Sequence, residues 1–251
     1  MTTRRVLLGA AALGGVGACA TMSRPVKAGD VGPGVGVKCA EFYRRPDGVS
    51  AEVHLEHWRR VRQPLLAALP GVTRTALNIV HAVRSPQAIF DGVEQIWFRD
   101  MDAFRAAMNG AESHEALAGL IADTPQFMAS TSVSQITTEA VIRPLPSSAT
   151  PTMAKRIGLV GRTPSTDREQ FIIEWRDHHA PEVLPQPGLI GYSLNVSERE
   201  RTPSAPWDGY AELWWTDWDA FDEARRLGSA GYANRASFFY SHQVAYVTEY
   251  A

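Results

Sequence analysis

Short apolar runs of strand length alternate along this chain with segments of helical spacing, and the same succession occurs twice. In the second half, Lys155–Arg162 reads as an apolar strand. Thr166 or Asp167 is placed to cap a helix running to about Ala180, with Arg168 and Glu169 in its first turn. Phe171, Trp175 and His178 or His179 fall along one stripe of that helix. Pro181 and Pro187-Gly188 close the helical region, and Leu189–Val196 follows as a second strand. Asp208-Gly209 opens a third strand, Tyr210–Thr216; Asp217 starts a helix carrying Phe221, and Gln243–Tyr250 is the last strand. The first half predicts the same order from Val35 to Val141, with a longer segment, Gly110–Gln126, before its final strand.

The repetition is written in identities as well as in pattern. A shift of 117 residues lays 175–221 over 58–104 with 17 identical pairs and no gap. Among them are Trp58/Trp175, Pro64/Pro181, Pro70-Gly71/Pro187-Gly188, Leu77-Asn78/Leu194-Asn195, Asp91-Gly92/Asp208-Gly209 and Trp97/Trp214. Two long units suit a duplicated domain better than a solenoid, which needs at least three short ones. Each β-α-β-β-α-β unit predicts a ferredoxin-like sandwich with its helices on one sheet face. The other face, expected to be apolar, is unstable when bare, so the two units are expected to pair those faces. The fold class is therefore α+β: two tandem ferredoxin-like units forming an intramolecular dimeric α/β barrel, a pseudo-dimer within one chain. The copies span 35–142 and 154–251, and the proline-containing stretch 143–153 joins them.

The N-terminus lies outside that repeat. Arg4-Arg5 precedes a short Ala/Gly/Leu stretch, so 1–20 reads as an export signal of the twin-arginine kind. Two endings stay open: a lipobox over Val16–Cys19, making Cys19 a lipid anchor, or cleavage at Ala18-Cys19-Ala20. Residues 21–34, rich in proline and glycine, form a tether. The expected location is the periplasm or the cell envelope, with membrane contact only through Cys19. The remaining cysteine, Cys39, sits in an apolar run and reads as a small buried hydrophobe with no disulfide partner. A formal charge of -2 and only three lysines leave no basic stripe, so nucleic acid is not an expected partner.

The ordered series Trp175-x3-His179-x-Pro181, Pro187-Gly188-Leu-Ile-Gly-Tyr192 and Asp208-Gly209-Tyr-Ala-Glu212-Leu-Trp214-Trp215 resembles the EthD family of dimeric α/β-barrel proteins. The first half, with Trp58, Pro64, Pro70-Gly71, Asp91-Gly92 and Trp97-Phe98, is similar to a more diverged member. The resemblance implies a pocket between helices and sheet for a small hydrophobic or aromatic molecule, in many cases with no metal or organic cofactor. Related barrel superfamilies bind haem, but no axial-ligand motif is evident here, and no His-x3-His or Cys-x2-Cys spacing suggests a metal. The expectation is therefore no cofactor.

Positions identical in both halves are expected to hold the shared fold, so chemistry is sought where the copies differ in polarity. Three differences stand out: His179 against Arg62, Glu212 against Gln95, and Tyr192 against Thr75. His179 is the candidate acid or base, with Glu212 as its catalytic partner. Tyr192, His178, Trp175, Trp214, Asn195 and Arg62 are candidates for binding substrate. Bland alternatives remain for each. His179 could bond the turn after its helix, His178 could be the inward residue, and Glu212 could pair with an arginine such as Arg176. The leading expectation is an enzyme acting on a small apolar compound by histidine acid/base chemistry; a binding protein or a scaffold without an open pocket are the alternatives.

Overall fold

The computed structural model describes residues 36–129, 133–145, 149–202, 207–227 and 238–251. The expected signal, lipobox and tether lie outside the described residues. Eight strands close a single antiparallel barrel: β1 (Gly36–Tyr43), β2 (Val72–Val80), β3 (Gly92–Phe98), β4 (Val133–Arg143), β5 (Ala154–Arg162), β6 (Leu189–Ser197), β7 (Gly209–Trp215) and β8 (Phe239–Tyr250). Their order around the barrel is β1-β3-β2-β8-β5-β7-β6-β4. Each half contributes four strands, and the two seams are β2 on β8, with Leu77 opposite Tyr250, and β4 on β6, with Glu139 opposite Asn195. Among the described residues no helix is long and apolar enough to cross a membrane.

The helices pack outside the barrel. Helix α1 runs through Ala51–His57, a π-helical stretch Trp58–Arg62, and Gln63–Ala67. Its second-half counterpart α4 runs through Arg168–Ile173, a π-helical stretch Glu174–His179, and Ala180–Val183. Between them in the chain come α2 (Met101–Asn109) and α3 (His114–Phe127), and α5 (Trp218–Leu227) follows β7. The unassigned segment of the first half is thus a helix, α3, for which the described second half shows no counterpart.

Local devices recur at the 117-residue shift. Asp100 and Asp217 cap α2 and α5, accepting from Ala103 N at 2.7 Å and Ala220 N at 2.8 Å. Gly71 (φ +77) and Gly188 (φ +68) make the left-handed turns into β2 and β6. A Cβ on either would stand 2.9 Å from the Cβ of Ala103 or Ala220, so the turn is also a close approach to the helix. Asn78 and Asn195 donate to the carbonyls of Val93 and Tyr210, both at 3.2 Å.

The inner barrel face departs from the apolar surface expected. One end is apolar, built from Ala40, Phe42, Val93, Ile157, Leu159, Tyr210, Ala245 and Val247. The other end is a buried ion network. Lys38 and Lys155, two of the chain's three lysines and themselves 117 residues apart, both reach Glu212, at 2.5 and 2.6 Å. Lys38 also holds Glu139 at 2.6 Å and Lys155 holds Glu249 at 2.6 Å. Trp97 and Trp214 lie against these lysines and donate to the same two outer glutamates, at 2.8 and 3.1 Å. Gln95 and Asn195 complete the shell of Glu212 at 2.9 and 3.0 Å.

Removing one partner from such a network strands the others without water. Glu212→Ala is expected to lower the free energy of unfolding by about 3–5 kcal/mol. Urea denaturation checks it, and a loss below about 1 kcal/mol, the range of an exposed pair, would show the network to be dispensable.

Candidate functional site

Strands buried on both faces carry side chains alternately inward and toward the helices. On β1, Lys38, Ala40 and Phe42 point into the barrel, whereas Val37, Cys39, Glu41 and Tyr43 face the helices. This alternation decides where each sequence candidate falls.

Glu212, Asn195 and Trp214 lie inside the barrel. Burial alone would raise the Glu212 carboxyl, but the charges of Lys155 and Lys38 outweigh it and hold the group well below the usual carboxylate range. The ion pair expected as the bland alternative is present, with lysines rather than with Arg176, which binds its neighbour Asp177 at 2.7 Å. His179 lies across the sheet from Glu212, in the layer between α4 and the strands. It is 6% exposed and meets the rings of Phe238 and Phe239 edge-on, with centroids 5.9 and 5.2 Å away. Tyr192 and Trp175 belong to that same layer. His178 is exposed, so His179 is the inward member of the pair. The structure therefore brings His179, Tyr192 and Trp175 into one layer and separates them from Glu212.

The first-half layer has a different character. Arg62 is buried there, its Nε donating to both oxygens of Glu94 at 2.9 Å and its Nη1 to Asp123 at 3.3 Å. Burial opposes its charge, but the carboxylates of Glu94 and Asp123 outweigh burial and hold the guanidinium protonated. Trp58 Nε1 donates to Glu94 at 3.0 Å. Asp123, on α3, also meets His57 at 2.6 Å. Tyr43 and His54 share a fully buried hydrogen bond of 2.7 Å. Burial, reinforced by Arg45, pushes His54 down to about 3 and keeps its ring neutral.

Beside this cluster lies a cavity of about 20 Å³, bordered by Cys39, Glu41, Arg62, Glu94 and six apolar side chains: Leu66, Leu69, Ile96, Met108, Leu117 and Leu120. Glu41 is 6% exposed, and its Oε1 is buried without a hydrogen-bond partner among the described residues. Burial pushes its carboxyl up to about 7; a hydrogen bond with Ser134 offsets part of the rise and the charge of Glu94 adds to it. A carboxyl that titrates near neutrality and borders an apolar cavity is suited to give and take protons.

Sequence reasoning missed Glu41, Glu94, His54 and Tyr43. The signal was available, because the same shift sets them against Gly158, Ala211, Phe171 and Val160. Those four polarity differences share one layer, whereas His179, Glu212 and Tyr192 are spread over two. Arg62 is the candidate from the sequence that belongs to this site. Among the described residues no group of three or more His, Cys, Asp or Glu could hold a metal ion.

Residues 46–131, in the first half where the motif series is thinner, match the EthD domain. No curated protein matches the sequence. Among solved structures, a protein assigned as a monooxygenase from Fusobacterium nucleatum is similar at 12% identity and a TM-score of 0.55, over 86% of this chain and 92% of that one. An anthrone oxidase-like protein is similar at 13% identity and a TM-score of 0.52, over 86% and 92%. A chlorite dismutase from Candidatus Nitrospira defluvii, in complex with cyanide, is similar at 12% identity and a TM-score of 0.51, over 87% and 91%. At these identities the likenesses establish the fold, a mixed α/β chain closing an eight-stranded antiparallel barrel.

The pH dependence of stability isolates Glu41. Its folded carboxyl titrates near 7 against an ordinary value of 4.5, so the folded chain holds the extra proton between those values. Its stabilising contribution is full below about 4.5 and is lost as pH rises through about 7. Glu41→Gln removes that loss. Relative to wild type, the variant is expected to gain up to about 3 kcal/mol between pH 4.5 and 8. His54 acts alike in both proteins, so urea unfolding of the pair at several pH values reads Glu41 alone; a constant difference would show that Glu41 titrates normally.

Proposed function

We propose that this protein is an enzyme that moves a proton on a small, uncharged, mostly apolar molecule held between α1, α3 and the sheet of the first half. Glu41 is its acid and base. The observation that carries this reading is a buried carboxyl with one bare oxygen, raised to about 7, at the edge of a cavity walled by leucines, isoleucine and methionine. Glu94 and Asp123 already share the charge of Arg62, so an anionic ligand would add a further negative charge to the layer. A neutral ligand meets no such cost.

The chemistry follows from the neighbours. The Glu41 carboxylate takes a proton from a carbon beside a carbonyl, and the C–H electron pair moves onto the carbonyl oxygen as an enolate. Arg62, bordering the same cavity, is the positive group available to that developing charge. The resulting carboxylic acid returns the proton to the same carbon or to a conjugated one, giving exchange or isomerisation with no net oxidation. The cavity now admits one water-sized group, so a larger substrate enters as side chains shift; Met108, unbranched and adaptable, stands on its wall. In the second half, read as the other copy over 154–251, the described residues of the equivalent layer set the His179 imidazole against Phe238 and Phe239.

A second reading, ligand binding without turnover, is favoured by the small size of the cavity. Deuterium exchange separates the two. Small neutral ketones, enones and lactones are incubated in heavy water with the protein, and loss of the carbon-bound proton signal is followed by NMR. Catalysed exchange with a pH limb near 7 is expected, and Glu41→Gln is expected to reduce it by about 100-fold or more. A probe that raises the melting temperature but exchanges no faster than in buffer would favour binding alone.

A further inference from the structure

A continuous line of charges joins the surface of the first half to the cavity. His57 Nε2 lies 2.6 Å from Asp123 Oδ1, Asp123 Oδ2 lies 3.3 Å from Arg62 Nη1, and Arg62 Nε reaches both Glu94 oxygens at 2.9 Å. Arg62, Glu94 and Glu41 border the cavity together. Exposure falls along the line: the side chains of His57, Asp123, Arg62 and Glu94 are 26%, 5%, 2% and 1% exposed. Among the described residues the second half shows no such line: Glu174, His179 and Ala211 stand where His57, Arg62 and Glu94 do. Asp123 comes from α3, the helix seen in the first half.

With Glu41 as the proton carrier proposed above, we propose that His57 is a positioning residue for it: the charge on His57 decides, through Asp123, how much of Arg62's positive charge is left for the carboxylates at the cavity. Arginine does not release its proton, so the line transmits charge rather than protons. A charged His57 shares Asp123 with Arg62; with Glu94 ionised through its bond to Arg62, against the upward push of burial, His57, Arg62, Glu94 and Asp123 sum to zero. Glu41 ionises against a neutral background. A neutral His57 leaves the other three at -1, and ionising Glu41 adds a second uncompensated charge in a buried layer.

The groups facing this line come from every packed element. On α1 they are His54 and Arg62; on α3, Asp123, with the Phe127 ring stacked over both histidines. Glu94 faces it from β3 and Ser134 from β4. Arg45 and Asp91, in the loops after β1 and before β3, act on His54. From β1 come Glu41 and Tyr43, the latter bonded to His54. None of them gives Asp123 a second ring partner, and His57 is the most exposed member of the line.

The test is a carbon-13 NMR titration of the Glu41 carboxyl in the full chain, assigned by its loss in Glu41→Gln. His57→Gln keeps a donor for Asp123 but no charge, and is expected to move the Glu41 titration up by about half a pH unit. Asp123→Asn removes the negative link and is expected to move it down by a similar amount. Opposite shifts establish the relay. Downward shifts in both variants would mean that the layer has merely loosened and hydrated, and unchanged titrations would mean that no charge is transmitted; either overturns the proposal. The titration needs no substrate, so it reads the relay even if deuterium exchange finds no turnover.

Discussion

One carboxylate inside the barrel serves two ammonium groups from opposite halves of the chain, and the closed architecture turns on that arrangement. Glu212 takes Lys155 from its own half and Lys38 from the other, with no exposure to water. Taking such charges out of water is costly, and their mutual attraction compensates only where geometry is complete. Geometry here depends on register. A one-residue slip at the β4–β6 or β2–β8 seam would turn a strand's inward set outward, removing Glu139 or Glu249 from its lysine. Slipped barrels thus leave a buried lysine with Glu212 as its one remaining carboxylate, a loss that a wholly apolar inner face would not impose.

The same centre explains what one continuous chain can do that two identical chains cannot. Two copies meeting across a symmetry axis would place the same residue at both central positions. Two glutamates would crowd the axis with negative charge, and two glutamines would leave each lysine with one partner. This chain carries Gln95 in one half and Glu212 in the other, and the amide donates to the carboxylate at 2.9 Å. Asymmetry extends to the helix layers. Glu41, Tyr43, His54, Arg62 and Glu94 in the first half face Gly158, Val160, Phe171, His179 and Ala211 in the second. One layer keeps a charged cavity, and the described part of the other packs Phe171, Trp175, Phe238 and Phe239 into one apolar cluster.

The sequence exposed the turns and the order of elements because those rest on local chemistry. Capping aspartates and positive-φ glycines act within a few residues, and the 117-residue shift marks each of them twice. Pro181, expected to close its helix, instead lies within it, in the stretch Ala180–Val183. A proline in a first turn lacks only an N–H that the π-helical stretch leaves unused. Facing was not legible. Strand β7 is buried at every position from Gly209 to Trp215, so no polar-apolar alternation tells inward from outward. Glu212 and His179 were therefore grouped, although the sheet divides them. Helix α3 was missed for a related reason: with no repeated partner to mark its ends, the segment offered only weak periodicity, and with it went Asp123.

Glu41 and Glu212 show how one residue type is set to opposite tasks by what surrounds it. Both are buried, and for both the loss of water favours the neutral form. Glu212 has two lysines within 2.6 Å and stays charged as a fixed strut. Glu41 shares its cavity with a single cation, Arg62, already bound by Glu94 and Asp123. Little of that charge remains for Glu41, so its proton is held until about neutral pH. A strut must not titrate in the working range and a proton carrier must. The barrel satisfies both demands on opposite faces of one sheet, where the alternation of β1 sends Lys38 inward to the strut and Glu41 outward to the cavity.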